Sequence, residues 1–312
     1  MTKVIAGLLL RASVVLMGTA IITFALLWNA PGDPAFAIAQ ARYKSFMVSD
    51  IANQIRSEAG LDGGFWMAFQ SWLSPLLVGD FGNSLVTGRA VWPDMRSAVS
   101  YTIPLAVLGL VFGVALSVPL AMLATKRPGG WLDRTAVAIA SLGAAIPAYW
   151  LGLLLILLFA VHLGWLPAMG ARTSAHIVLP TLTLGLGVAA SLTRILRSGI
   201  LEARNQPFLP ALRRRGVALH DLERNHVAPH AAIPVVTVFG LELAFLLEGA
   251  VIVEVIFARP GLGSFLISAI EARDFPKVQA VVILTATLFV TVNLLIDVIY
   301  KTLDPRIGEH DA

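Results

Sequence analysis

Cysteine is missing from all 312 positions, which excludes disulfides, thiolate metal sites and cysteine nucleophiles. Charge is scarce as well: Asp, Glu, Lys and Arg make up 13% of the chain against 57% hydrophobic residues. A soluble domain carries about 25% charged residues, so this scarcity points to lipid as the solvent for much of the chain. No G-x-x-x-x-G-K-[ST] loop is present to cradle nucleotide phosphates, and no H-E-x-x-H helix is present to hold zinc. Gly185 and Gly187 lie in an apolar run rather than between a strand and a helix, so they form no dinucleotide fingerprint. His220, His226 and His230 are spaced six and four apart with Pro229 between the last two, and they read as solvated loop histidines. The net charge of +4 comes without interleaved aromatics of the kind that stack on bases, which argues against nucleic acid. Nothing in the sequence argues for an enzyme.

What remains is mostly apolar. A membrane crossing by an α-helix needs about 20 apolar residues, and six segments qualify. They are Ala12 to Trp28, Tyr101 to Thr125, Thr135 to Leu163, Ile177 to Ile195, Ile233 to Phe257 and Val278 to Tyr300. The third contains Pro147 and is expected to tilt or kink. The first has Lys3 and Arg11 near its start and Ala37-Ile38-Ala39 after it, like a secretory signal. Its apolar stretch exceeds the usual h-region, however, and Pro31-Gly32-Asp33-Pro34 intervenes, so a retained helix is expected. The bilayer is the first partner the sequence implies.

Orientation follows from the short loops. Lys126 to Arg134 is dense in positive charge, as is the stretch carrying Arg194, Arg197, Arg204, Arg213, Arg214, Arg215 and Arg224. The 160–176 connection has only Arg172. Both termini and the basic stretch are therefore expected in the cytoplasm. The chain divides into an N-terminal helix (1–28), an extracytoplasmic cap of short helices (29–100) and a five-helix core (101–312) that carries a basic loop at 199–230.

Within that loop runs FLPALRRRGVALHDLERNHVAPHAAIP, residues 208–234. Pro207 and Pro210 can open a helix, Ala211 to Arg215 supply a turn and more, and Gly216 can end it. Val217 to Val227 then resumes as a second short helix before Pro229. Taken by themselves, these residues suit either a protrusion that carries force to a soluble partner or an anchor on anionic lipid.

Several fragments recur along the chain in a specific order. Pro31-Gly32-Asp33-Pro34-Ala35, Gly60-Leu61-Asp62 and Gly79-Asp80-Phe81-Gly82-Asn83-Ser84 come first. Ile146-Pro147-Ala148-Tyr149-Trp150-Leu151-Gly152 and Gly164-Trp165-Leu166-Pro167 follow, then Glu254 to Gly263 and Arg273-Asp274-Phe275-Pro276-Lys277-Val278-Gln279. Asn293-Leu294-Leu295-Ile296-Asp297 and Leu303-Asp304-Pro305-Arg306-Ile307 close the series. Over almost the whole length this resembles the dipeptide/oligopeptide/nickel branch of binding-protein-dependent ABC importer permeases. The resemblance implies an all-α membrane protein with six transmembrane helices, an extracytoplasmic cap and a cytoplasmic coupling helix, in a bacterial plasma (inner) membrane.

That family's cytoplasmic Glu-Ala-Ala…Gly signature, laid on Gly216, puts Pro210 at the Glu position, Ala211 at the first Ala and Leu212 at the second. Ile233-Pro234 fits its later Ile/Leu-Pro, and Pro229 falls where this branch often has arginine. By resemblance, Ala211, Leu212, Arg213, Arg214, Arg215 and Gly216 dock on an ATPase, and Arg259, Pro260, Gly261 and Gly263 belong to an outer loop near the gate or binding protein. The implied assembly adds a second homologous permease, two ATPase subunits that bind the ATP and Mg, and an extracytoplasmic solute-binding protein. No cofactor or metal is assigned to this chain, and the implied mechanism is alternating access. The cargo is expected to be small peptides. Nickel or a metal chelate is the alternative, because Leu166-Pro167-Ala168-Met169-Gly170 followed by His176-Ile177-Val178-Leu179-Pro180 also resembles the nickel members. An ion-coupled secondary transporter is the rival class, since polar residues inside spans also suit ion coupling.

Glu242, Glu248 and Glu254 recur every six residues on the fifth span, and steps of about 600° point them in three directions. Glu242 and Glu248 lie within about 5 Å of its midpoint along the axis, where an ionised acid costs about 2.5–3.5 kcal/mol. Each calls for a wet cavity or a partner, and both are candidates for the translocation pathway. The family commonly has glycine at the position of Glu248, which makes this carboxylate a candidate for favouring cationic cargo or for an inter-subunit hydrogen bond. Asp297 resembles a structural feature of the sixth span. The topology is open to a direct check: reporter fusions after Lys126, Arg215 and Ile307 should report cytoplasm, and those after Gly88 and Arg172 the far side. A cytoplasmic signal at Gly88 would overturn it.

Overall fold

Backbone in hydrocarbon can satisfy its hydrogen bonds only within helices or closed barrels, and the helical solution is the one found. The computed structural model describes residues 2–29, 36, 39, 50–53 and 64–303. The fragments Pro31–Ala35, Gly60–Asp62 and Asp304–Ile307, the Ala37-Ile38 site and the side chain of Asp297 lie outside the described residues. The helices are α1 (Thr2–Trp28), α2 (Phe65–Leu76), α3 (Val91–Ala124), α4 (Trp131–Ala145) and α5 (Ala148–Leu155), the last continuing as a π-helical stretch Ile156–His162. A 3₁₀ turn, Ser174–Ile177, leads into α6 (Val178–Arg204), followed by α7 (Phe208–Arg214) and α8 (Leu219–Leu222). A second π-helical stretch, Glu223–Val227, runs into α9 (Ala228–Ile256), and α10 (Leu262–Glu271) and α11 (Phe275–Leu303) complete the order.

Four of the six expected spans are single long apolar helices: Leu9–Trp28, Val91–Ala124, Ser174–Arg204 and Phe275–Ile296. The third is broken, with α4 and the α5–π segment meeting at an angle of 102°. Pro147 has no N–H to continue α4, and the residue before it, Ile146, is pushed to an extended conformation (φ −79°, ψ 121°). The fifth bends by 44°, close to Pro234, whose missing N–H opens the helical ladder. Six crossings result when each bent pair counts as one. The second span begins earlier than the sequence suggested. α3 starts at Val91, so the last ten residues of the expected cap are helical, and Pro93 sits in a first turn whose N–H groups have no helical partner to lose.

The chain forms two units, one from residues 1–102 and 260–291 and the other from 103–259 and 292–312. In the first, aromatic rings join α1 to α2: Phe24 lies 5.4 Å from Phe69 and 5.5 Å from Trp72. A separate core there gathers Val91, Met95, Ala98, Leu262, Ala280 and Val281. In the second unit, Leu105, Leu179, Leu184, Leu192, Leu246, Val253 and Phe257 form one apolar cluster. Hydroxyls within its spans bond back to their own helices, Thr183 to the Leu179 carbonyl at 2.8 Å and Thr193 to that of Ala189 at 2.6 Å.

Helices in lipid gain little from burying apolar surface against each other, so close approach through small residues takes over. α3 carries Gly109 and Gly113, and α6 carries Gly185. A Cβ on Gly185 would stand 2.8 Å from the Gly109 carbonyl oxygen and 2.6 Å from Phe112, and one on Gly113 would stand 2.5 Å from Val188. Gly187, two residues along, has nothing within 4 Å. The apolar glycine run is thus a helix crossing. Gly185→Ala should cost about 1–3 kcal/mol through overpacking, whereas Gly187→Ala should be neutral or slightly stabilising. Thermal unfolding of the two variants in the same detergent checks this, and equal melting temperatures would contradict the crossing.

Candidate coupling and pathway sites

The basic protrusion is built by a helix stop. α7 ends at Arg214 and Gly216 takes φ +82°, a left-handed conformation that favours glycine. The Gly216 N–H donates to the Arg213 carbonyl at 3.0 Å and the Val217 N–H to that of Leu212 at 3.3 Å. These are the two bonds of a Schellman motif, which is often accompanied by an apolar contact across the turn. Leu212 and Val217 supply it, both packing on a small core of Ala203, Leu209, Leu222, Val227 and Ala231. Pro210, Ala211, Arg213, Arg214, Arg215 and Gly216 are left exposed, with Leu212 half-buried.

Beyond the turn the structure departs from the expected second helix. α8 is one turn long, and the wider π stretch carries it without a break into α9, so Pro229 sits in the first turn of α9 and does not separate the two. His226 and His230 lie beside the Phe208 ring, at 6.3 and 5.3 Å between centroids. His230 Nδ1 is 2.8 Å from the His226 carbonyl oxygen.

Two arginines counted as topological charge hold internal partners instead. The Arg197 guanidinium grips Asp133 through both carboxylate oxygens, with Nη2 2.7 Å from Oδ2. Asp133 is 2% exposed and also accepts the Gly129 N–H at 2.7 Å. In the first turn of α4 it stands where a helix favours negative charge. Arg204 forks the Glu223 carboxylate at 2.9 and 3.1 Å, and its Nη1 donates to the Thr125 carbonyl at 2.6 Å. The sequence signal for both pairs was an acid amid basic residues: Asp133 is the sole acid in Lys126–Arg134, and Glu223 is one of two in 208–230.

The three glutamates of α9 do point apart. Glu242 is 5% exposed, and its carboxyl faces the Ser191 hydroxyl and the Arg194 guanidinium of α6. Glu254 is fully buried. Glu248 is exposed, in line with the exposed Leu241, Phe245, Ile252 and Val255. Those positions advance by four, three, four and three, so the stripe follows one face of the helix.

At the far end of α9, Ala258 takes φ +47°, the Arg259 N–H donates to the Glu254 carbonyl at 2.8 Å, and the Gly170 N–H to that of Phe257 at 2.8 Å. Arg259 Nη1 lies 3.3 Å from the His176 carbonyl oxygen. His176 Nδ1 in turn sits 2.8 Å from Thr173 Oγ1 and caps the 3₁₀ turn, so the histidine of the nickel-like stretch is engaged in local structure. Of the expected outer-loop residues, Arg259, Gly261 and Gly263 are buried and Pro260 is exposed. In the first unit, the Leu262 N–H donates to Thr102 Oγ1 at 2.8 Å. Asp274 there receives the Ser84 hydroxyl at 2.5 Å, the Leu85 N–H at 3.1 Å and the Lys277 ammonium at 3.4 Å.

The architecture is that of a helical membrane protein with an exposed basic turn between two of its apolar crossings. Comparisons with known proteins give the family. The sequence pattern of the binding-protein-dependent transport system inner membrane component matches residues 117–309. The glutathione transport system permease protein GsiC of Escherichia coli (strain K12) is 35% identical over 287 residues, 92% of each chain. Its namesake in Salmonella choleraesuis (strain SC-B67) is 34% identical over 292 residues, 94% of each. A crystal structure of an amino acid ABC transporter superposes with TM-score 0.55 at 19% identity, covering 67% of this chain and 94% of the other. An inward-facing MetNI methionine ABC transporter gives 0.56 at 22%, covering 67% and 96%, and both speak to the fold. The chain belongs to the binding-protein-dependent inner-membrane component family and is the permease subunit of an ABC importer. Membership implies substrate-binding and ATPase partners, with ATP bound by separate ATPase subunits.

Proposed function

We propose that this chain forms half of a translocation pathway for small peptides, paired with a second homologous permease and driven by two ATPase subunits. The observation that carries the reading is the protrusion of Pro210 to Gly216. It is a short helix stopped by a satisfied left-handed turn, with three adjacent arginines exposed between two crossings. Such a body is stiff enough to pass on a push, and the exposed cations suit an acidic cleft on an ATPase. Its density of positive charge supports a cytoplasmic position for it and for both termini. ATP-driven closure of the ATPases would move the protrusions and open the permease pair outward to receive cargo from the binding protein. A switch of this kind requires ATP to bind one state better than the other. The peptide reading draws on the relatives named for glutathione, itself a small peptide.

Glu248 belongs in the pathway on this reading. Lipid is an unsuitable cover for its stripe, since an ionised acid near mid-bilayer costs about 2.5–3.5 kcal/mol. A wet cavity between two permeases suits it, and a carboxylate there would favour a free amino group or a basic side chain. Glu242, buried against α6, would then hold the wall of that pathway. The turn around Pro260 and Gly261 is assigned to the outer gate, acting through backbone shape.

Two measurements test these assignments. Gly216→Val strains the left-handed turn by about 1–2 kcal/mol, and a triple alanine variant of Arg213, Arg214 and Arg215 removes the cations. In either, cargo-stimulated ATP hydrolysis should fall roughly tenfold or more, because the first variant misplaces the dock and the second leaves acids of the ATPase cleft without their cations. The binding protein should still dock, and full transport in both variants would remove the coupling assignment. Separately, Glu248→Gln should lower uptake of a cationic peptide more than that of a matched neutral one in reconstituted complex. An unchanged ratio between the two defeats the pathway role of this carboxylate, whatever happens to the absolute rates.

A further inference from the structure

Arg204 holds three elements with one planar group. Its Nε and Nη2 fork Glu223, which directly follows α8, and its Nη1 reaches the Thr125 carbonyl just past the end of α3. Its own backbone ends α6. The Thr125 carbonyl belongs to the last turn of a helix, where carbonyls lack helical partners and a cation is favoured. One helical heptad earlier, on the same face of α6, Arg197 grips Asp133 at the start of α4. The loop from α3 to α4 is therefore clamped at both ends by α6.

We infer that Arg204 is the positioning residue through which movement of the protrusion reaches the end of α3 and the α3–α4 loop. The inference rests on the protrusion being the ATPase dock. Only Asn205, Gln206 and Pro207 separate α6 from α7, whereas no such short stretch of backbone joins the protrusion to α3. Glu223 supplies the missing connection. Its neighbour Leu222 and nearby Val227 pack in the same small core as Leu209 of α7, and Ala203 of α6 packs there too, so Glu223, the protrusion and the end of α6 form one body, from which the Arg204 Nη1 reaches across to Thr125. The guanidinium fork is planar and directional, so a shift of Glu223 must pull Arg204, and with it Thr125, or break the fork. Both side chains are about one-third exposed, and pairs that open to solvent add little to stability. The geometry of the pair, rather than its contribution to folding, is what gives it a role.

The absence of cysteine makes the test direct, since introduced thiols are the only ones in the chain. Spin labels at Ala218→Cys, beside the protrusion, and Arg127→Cys, on the α3–α4 loop, report whether the two move together in the assembled transporter. Both positions are exposed. With Arg204 in place the label distance should stay constant between nucleotide-free and vanadate-trapped states. In Arg204→Gln it should change on trapping, and binding-protein-stimulated ATP hydrolysis should fall roughly fivefold or more, the lower range of site-to-site coupling. Glu223→Gln should reproduce both effects while leaving Arg204 on Thr125, and the double variant should be no worse than either single one. If Arg204→Gln does not assemble, Glu223→Gln decides alone. A constant distance with retained stimulation in the deciding variant overturns the relay. If Gly216→Val and the triple alanine variant abolish stimulation while the deciding variant does not, the relay alone falls. If those two protrusion variants also keep it, the docking assignment falls as well.

Discussion

A polar group inside hydrocarbon has no water to turn to, and this one constraint organises the second unit. Backbone amides close within helices, buried threonines bond back to the carbonyl four residues earlier, and Glu242 faces a hydroxyl and a guanidinium on the neighbouring helix. Helices held by such internal bonds are stiff rods that can meet only where their surfaces allow. The glycines of α3 and α6 bring two of them close enough for backbone to touch side chain. Glu248 stands out against that background. Its carboxylate is exposed on a helical face that is otherwise apolar, and the same constraint requires water or protein over it once the chain is in a bilayer.

Composition and periodicity carried the helical class and the six apolar segments, because a crossing has a length requirement that shows in one dimension. The stop at Gly216 was equally legible, since a glycine after a helix former, followed by an apolar residue, writes the Schellman turn into adjacent positions. The 102° break was visible only as Pro147; how far the chain turns there is set by packing. The glutamates split as their six-residue spacing required, but which of them met a partner depended on α6. The ion pairs of Arg197 and Arg204 were out of reach because their acids are 64 and 19 residues away, and loop charge was read as a signal of sidedness alone.

The arginines near the end of α6 therefore divide into two populations. Arg197 and Arg204 turn inward and staple loops, while Arg213, Arg214 and Arg215 face outward from a turn packed on a small core shared with the ends of α6 and α9. A count of positive residues treats them alike, although the first pair shapes the protein and the second group meets what lies outside it. The family's signature positions show the same division. Proline and leucine stand where the pattern has glutamate and alanine, yet the glycine and the apolar contact across the turn keep the shape.

The Asp274 carboxylate has a consequence for how the molecule is made. Its partners Ser84 and Leu85 lie 190 and 189 residues earlier in the chain. The tight turn they belong to is tied down further by bonds from the Ser84 N–H to the Arg89 carbonyl and from the Val91 N–H to that of Gly82. A ribosome adding about 5–20 residues per second needs roughly 10–40 s to travel from one side of this contact to the other. Throughout that interval the early segment is already synthesised while the buried acid that receives it does not yet exist. The first unit is thus completed only after most of the second has been synthesised, and the early segment waits without its buried partner until Asp274 arrives.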